Sequence, residues 1–222
     1  MQDWEKHKMI CEMTRVSGLL NGRGWDRIVP AGATLFSEGE APCALYEVRS
    51  GCMKMTWTSS TGKETISELL LPGDIFDLPS CLDGRPYPLT CKAVSGDSTL
   101  VSAVNRGELL ADPILLKRCQ SLLWEQLRQQ RSHPIGSATE RVEVRITRAL
   151  LWLASRLGDP SLGTPRFHLP LTRQELADWV CTTPETVIRA MSQLRRRGLL
   201  HESAGYLALT GYRDLIQLAE AA

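Results

Sequence analysis

Few folds accommodate the thirty-residue stretch 171–200, LTRQELADWVCTTPETVIRAMSQLRRRGLL. Thr172 and Glu175 form the T-x-x-E pattern of a capping box, so a helix starts there with Leu176, Ala177 and Val180 on its inner side. Thr182 or Thr183 supplies a second cap, with Pro184 at or near the first helical position and Glu185 in the first turn. Val187, Ala190, Met191 and Leu194 then recur at helical spacing and form a buried face, which leaves Glu185, Arg189, Ser192 and Arg196 on the opposite one. Two helices joined by a turn of three or four residues make a helix-turn-helix.

The exposed face of the second helix has the chemistry of a major-groove reader. Arginine donates two hydrogen bonds to guanine O6 and N7, and glutamate accepts from cytosine N4, so Glu185 and Arg189 are the expected base-reading pair. Arg173, Thr182, Thr183, Thr186, Arg195, Arg196 and Arg197 are placed to meet phosphates. A competing reading has Glu185 as a helix cap and Arg189 as its surface ion-pair partner at i,i+4. Net charge does not decide, since the formal value is +1, but the charge is uneven: four arginines lie between 189 and 197. Downstream, LLHESAGYLALT puts Gly205 between two short extended runs, a hairpin wing, and GYRDLIQLAEAA closes as a helix. Upstream, ATERVEVRITRALLWLASRLG reads as a helix with Val142, Ile146, Ala149, Leu150 and Leu153 on one face, ending at Gly158. The loop DPSLGTP and the extended piece FHLPL follow it.

The first half is punctuated by glycine at 39, 51, 62, 73, 84 and 96, and the intervals read as strands. ALYEVRSG, CMKMTWTS and ETISELLL carry alternating, β-branched or aromatic residues and close into a sandwich or roll. From Pro113 a run free of Gly and Pro predicts a long helix, broken at His133-Pro134. Its apolar stripe of Leu116, Cys119, Leu123 and Leu127, widened by Leu115 and Leu122, either packs on the β domain or pairs with a second copy. The expected organisation is an N-terminal segment 1–20, a β-roll 21–110, a dimerisation helix 111–135 and a winged helix-turn-helix 137–222, an α+β architecture.

Over nearly the whole chain the sequence resembles the cyclic AMP receptor and fumarate-nitrate regulator (CRP/FNR) superfamily of bacterial transcription regulators. The resemblance rests on LFSEGEAPCALYEVRSGCMKM, TGKETISELLLPGDIFD and DGRPYPLT in the front half and on the helix-turn-helix stretch behind it. It implies a double-stranded β-helix of the cyclic-nucleotide-binding type acting as sensor, a homodimer on a two-fold symmetric operator, and RNA polymerase as a further partner. Glu185 and Arg189 match the family's base-contacting residues. Ile188 replaces the small residue often found between them and is placed to touch a thymine methyl.

The sensor's signal is less specified. Cyclic-nucleotide members use an arginine-serine pair and a glutamate around the phosphate, whereas Tyr87, Pro88 and Leu78 stand in those places here, so cyclic AMP is disfavoured. Arg85 is the nearest cation. Cys11 alone near the N-terminus does not suffice for an iron-sulfur cluster. Asp77 and Pro79 replace the Cys-x-His ligation of haem-containing relatives, while haem held by His7, His133, Cys81 or a methionine stays open. Asp77, Leu78, Tyr87, Pro88, Leu89 and Thr90, with Leu123 and Trp124 of the long helix, are the expected effector pocket, suited to a small neutral ligand or haem.

Other classes are excluded by what such functions require. Seven scattered cysteines without C-x-x-C oppose a disulfide framework or zinc site, and a redox role for Cys11 or Cys119 finds no neighbouring cation. No metal spacing, Walker loop, G-x-G-x-x-G or nucleophile elbow occurs, so no enzyme is expected. No apolar run is long enough to span a membrane and none has the pattern of a secretory signal, so the expectation is a cytoplasmic protein. Two readings stand beside effector-controlled DNA binding: a regulator that binds DNA without an effector, and a winged helix serving protein interaction.

Overall fold

The computed structural model describes residues 18–60, 62–129, 140–158 and 164–220, with the backbone alone for 125–129. The expectations for the segment before Gly18, including His7 and Cys11, for the break at His133, for residues 159–163 of the loop and for the side chain of Leu127 lie outside the described residues. The chain divides into two compact units, one formed by Arg15–Arg131 and the other containing Ser132–Ala222. No described helix is long and apolar enough to cross a membrane.

The first unit is a roll of two facing four-stranded sheets. One sheet has the order β1 (Trp25–Val29), β8 (Thr99–Asn105), β3 (Ala44–Ser50), β6 (Ile75–Phe76); the other has β2 (Thr34–Phe36), β7 (Thr90–Ala93), β4 (Met53–Thr58), β5 (Glu64–Leu70). All the pairings are antiparallel. The three strands expected between 44 and 71 are β3, β4 and β5. Gly51 makes the β3–β4 turn with φ +84, and a Cβ there would meet the Thr99 hydroxyl at 2.7 Å, so only glycine fits.

Period-two alternation sorts the side chains into two cores. Tyr46, Val48, Ala103 and Phe76 point into the roll with Phe36, Met53, Met55, Tyr87 and Cys91. Their neighbours Leu45, Val104 and Ile75 point out of the same sheet and are covered by three helices, α1 (Leu78–Asp83), α2 (Arg106–Ala111) and α3 (Pro113–Gln129).

Helix α3 begins at Pro113, as its fixed φ favours, and Asp112 Oδ1 accepts from the Ile114 and Leu115 amides. Its buried face is Leu115, Cys119 and Leu122. Each apolar side chain so buried contributes about 1.5–3 kcal/mol. Of the two readings of the apolar stripe, packing on the β domain holds for Cys119, which is fully buried in the chain's own core and so not available to a dimer interface, because positions 115, 119 and 122 share one side of the helix. Leu116 and Leu123 lie beside that face and remain half-buried, while Ile114 and Trp124 are exposed.

The second unit opens with α4 (Val142–Leu157), whose Ile146, Ala149, Leu150 and Leu153 are buried as expected. A three-stranded sheet of order β10 (Leu200–Ser203), β11 (Tyr206–Leu209), β9 (Arg166–His168) forms the wing. Helices α5 (Arg173–Trp179), α6 (Pro184–Arg196) and α7 (Tyr212–Glu220) complete it.

Candidate DNA interface

The helix-turn-helix is held by local hydrogen bonds that the sequence pattern calls for. The Thr172 hydroxyl accepts from the Glu175 amide at 3.1 Å while the Glu175 carboxylate accepts from the Thr172 amide at 3.0 Å, closing the capping box. Helix α5 ends in a Schellman turn: the Thr182 amide donates to the Ala177 carbonyl at 2.9 Å, and Cys181 takes the left-handed position with φ 53. Thr183, not Thr182, is the N-cap of α6, accepting from the Thr186 amide at 3.4 Å.

Helix α6 buries Val187, Ala190, Met191 and Leu194 and exposes Glu185, Ile188, Arg189, Arg195 and Arg196, with Ser192 half-buried. Glu185, Ile188, Arg189 and Ser192 follow one another at spacings of three, one and three, hence on one face. Ile188 is 50% exposed, a large apolar side chain on the solvent side of a short helix. No ion pair joins Glu185 to Arg189 among the described residues, so the pairing that would occupy both is not made. Glu185 is held below the usual carboxylate range by its own backbone amide and by the Thr183 hydroxyl, and so stays ionised as a hydrogen-bond acceptor.

The flanking cations are not all equally free. Arg173 and Arg195 both donate to the Glu202 carboxylate, at 2.9 and 3.3 Å, and Arg197 pairs with Glu143 at 3.4 Å. Glu202 and Glu143 were invisible to pattern reading, because each sits more than twenty residues from at least one of the cations it meets.

The expected effector pocket fares differently, and the structure divides its residues. Tyr87 lies in the roll interior with Leu89 packed against it, Leu78 and Leu123 belong to the separate core beneath the helices, and Pro88 and Trp124 are exposed. The physical reason is that neighbours in sequence leave the roll wall on opposite sides, which spacing alone cannot assign. Thr90 is half-buried and its hydroxyl accepts from the Glu38 amide at 3.0 Å. Aromatic rings stack within the interior itself. Phe36 stacks on Tyr87 with centroids 3.8 Å apart, and Tyr46 on Phe76 at 5.5 Å. The Tyr87 hydroxyl accepts from the Cys43 amide at 3.2 Å.

These residues do not fit the phosphate of a cyclic nucleotide. Arg85, the candidate cation, has a side chain 86% exposed and is paired with Asp83. Asp77 stands at the N-cap of α1 with φ 62, and burial pushes its carboxyl up to about 7, so it supplies no positive charge to a phosphate. Burial likewise raises the thiols of Cys81 to about 12 and Cys119 to about 11, which leaves them little thiolate character.

Comparison with known proteins agrees with the fold of each unit. The family model described as a cyclic nucleotide-binding domain matches residues 26–111, and the one described as a Crp-like helix-turn-helix domain matches residues 144–218. A CRP-like cAMP-activated global transcriptional regulator of Mycobacterium tuberculosis is 30% identical over 76% of this chain and 76% of its own length. The transcriptional activator protein FnrA of Stutzerimonas stutzeri is 26% identical over 83% of this chain and 80% of its own. Among solved structures, FixK2 from Bradyrhizobium japonicum superposes with a TM-score of 0.78 at 26% identity, covering 89% of this chain and 98% of that one. With a β-roll of the cyclic-nucleotide-binding type and a Crp-like helix-turn-helix in one polypeptide, the chain belongs to the CRP/FNR family of DNA-binding transcription regulators.

Proposed function

We propose that the protein binds a palindromic operator as a homodimer, reading each half-site with Glu185, Ile188 and Arg189. The observation that carries this reading is the exposed, mutually unpaired placement of Glu185 and Arg189 on one face of α6. In the major groove Arg189 donates to guanine O6 and N7, Glu185 accepts from cytosine N4, and Ile188 meets a thymine methyl. Thr182, Thr183, Thr186, Arg173, Arg195 and Arg196 hold the phosphates on either side. Dimerisation through α3 is supported by the half-buried Leu116 and Leu123 and the exposed Trp124, apolar surface that the subunit's own core leaves uncovered. Membership of the family supports a cytoplasmic regulator that engages RNA polymerase.

The stacking of Phe36 on Tyr87 inside the roll favours operator binding that needs no ligand there. A small molecule or haem would have to displace the Phe36–Tyr87 stack before it could enter. Selection from a randomised duplex pool, followed by binding titrations at several salt concentrations with and without cell metabolites, tests the reading. A symmetric site bound equally in both conditions is the expected result. Affinity that appears only with a metabolite overturns the ligand-free reading, and no salt-dependent affinity for any duplex overturns DNA binding in favour of a protein-interaction module.

A further inference from the structure

The wing delivers one carboxylate to the DNA-facing side of the helix-turn-helix. In the β10–β11 hairpin Glu202 pairs with Leu207, and Leu200 with Leu209, so Glu202 shares the inward face with three buried leucines, while His201 and Ser203 point outward. A two-residue turn, Ala204 at φ 49 and Gly205 at φ 79, keeps this register. Glu202 thereby reaches two helices at once, accepting from Arg173 Nη2 of α5 at 2.9 Å and from Arg195 Nη1 of α6 at 3.3 Å. Arg195 Nη2 in turn donates to the Ser192 hydroxyl at 3.1 Å.

We propose that Glu202 is a built-in competitor for the phosphates that Arg173 and Arg195 bind, and so limits the sequence-independent share of the DNA affinity. The proposal rests on the reading of these arginines as phosphate contacts. Three side chains carrying two positive charges and one negative present a net single charge to the backbone. A phosphate must therefore share or displace a carboxylate already in place, and sequence-independent affinity is held down. Glu185, Ile188 and Arg189 are outside this arrangement, so base reading keeps its full weight while the sequence-independent share of the affinity falls.

The test is Glu202→Gln in the full-length protein, titrated with its selected operator and with a scrambled duplex across a salt series. The expected result is a severalfold gain in affinity for scrambled DNA and operator alike, and a salt dependence steeper by about 0.9 in slope, the value of one further phosphate contact. Glu202→Asp keeps the charge and is expected to retain the wild-type slope. If the Gln variant does not fold, as judged by its melting curve, Glu202→Ala gives the same readout. Unchanged scrambled-duplex affinity and slope, or a loss of affinity for both duplexes, overturns the proposal, as does an Asp variant that behaves like Gln. Wild-type protein that binds no duplex removes the underlying reading instead, so the two failures are distinct.

Discussion

The guanidinium of Arg145 donates to the carbonyl of Cys181 at 3.3 Å, tying the first helix of the DNA-binding unit to the turn between α5 and α6. Arg145 is only 4% exposed, so the bond lies away from water. Hydrogen bonds to a charged group of this kind contribute about 1.5–3 kcal/mol. The carbonyl they hold belongs to the one residue of the turn with left-handed backbone, where an L side chain is strained by about 1–2 kcal/mol.

Replacing Cys181 with glycine relieves that strain. The expected outcome is a gain of about 0.5–1 kcal/mol, less than the full strain because glycine also loosens the unfolded chain. A urea titration followed by circular dichroism reads it as a higher midpoint. Cys181→Val at the same place lowers the midpoint, since a β-branched residue tolerates positive φ least.

Truncating the reading face separates specificity from affinity. Glu185→Ala and Arg189→Ala are each expected to weaken operator binding by about 1–3 kcal/mol, with little change on scrambled DNA and a relaxed preference at one base pair per half-site. Competition titrations against single-substituted operators show which base pair each side chain reads. Arg196→Ala, by contrast, weakens both duplexes alike and shallows the salt slope.

Phe36→Ala opens the roll interior. Losing a buried ring that stacks on Tyr87 costs about 3–5 kcal/mol. The variant is also expected to gain thermal stability from a small aromatic such as indole, while the wild type does not. A shift of equal size in both proteins would mean that the interior is not filled.

Asp77 makes the β unit sensitive to pH. Its carboxyl is raised from 3.8 to about 7, by burial first and by Asp83 in addition, against an opposing hydrogen bond from Ser80. Between those values the folded chain binds more protons than the unfolded one, so stability falls as pH rises through that window and levels off above it. Allowing for the solvent that still reaches the side chain, the loss is about 2 kcal/mol. Asp77→Asn, compatible with the left-handed backbone there, is expected to flatten the profile in urea midpoints taken from pH 5 to pH 8.

Local features were legible in the sequence because local physics produces them. The Thr172–Glu175 box, the start of α6 at Pro184, and the division of that helix into a face of Val187, Ala190, Met191 and Leu194 and a face of Glu185, Ile188 and Arg189 follow from spacings of three and four and from caps within one turn. The family resemblance in the β half rests likewise on short patterns of turn and strand. What tertiary structure alone decided is which side of an element meets which partner. Helical periodicity offered two adjacent stripes on α3, and only packing onto the roll placed Cys119 in the core and left Leu116 beside it. Phe36, Tyr46, Phe76 and Tyr87 come from four separate stretches, so their common interior exists only once both sheets have closed. The same holds for Glu202, whose two arginines are 29 and 7 residues away and meet it only because a hairpin folds back between two helices.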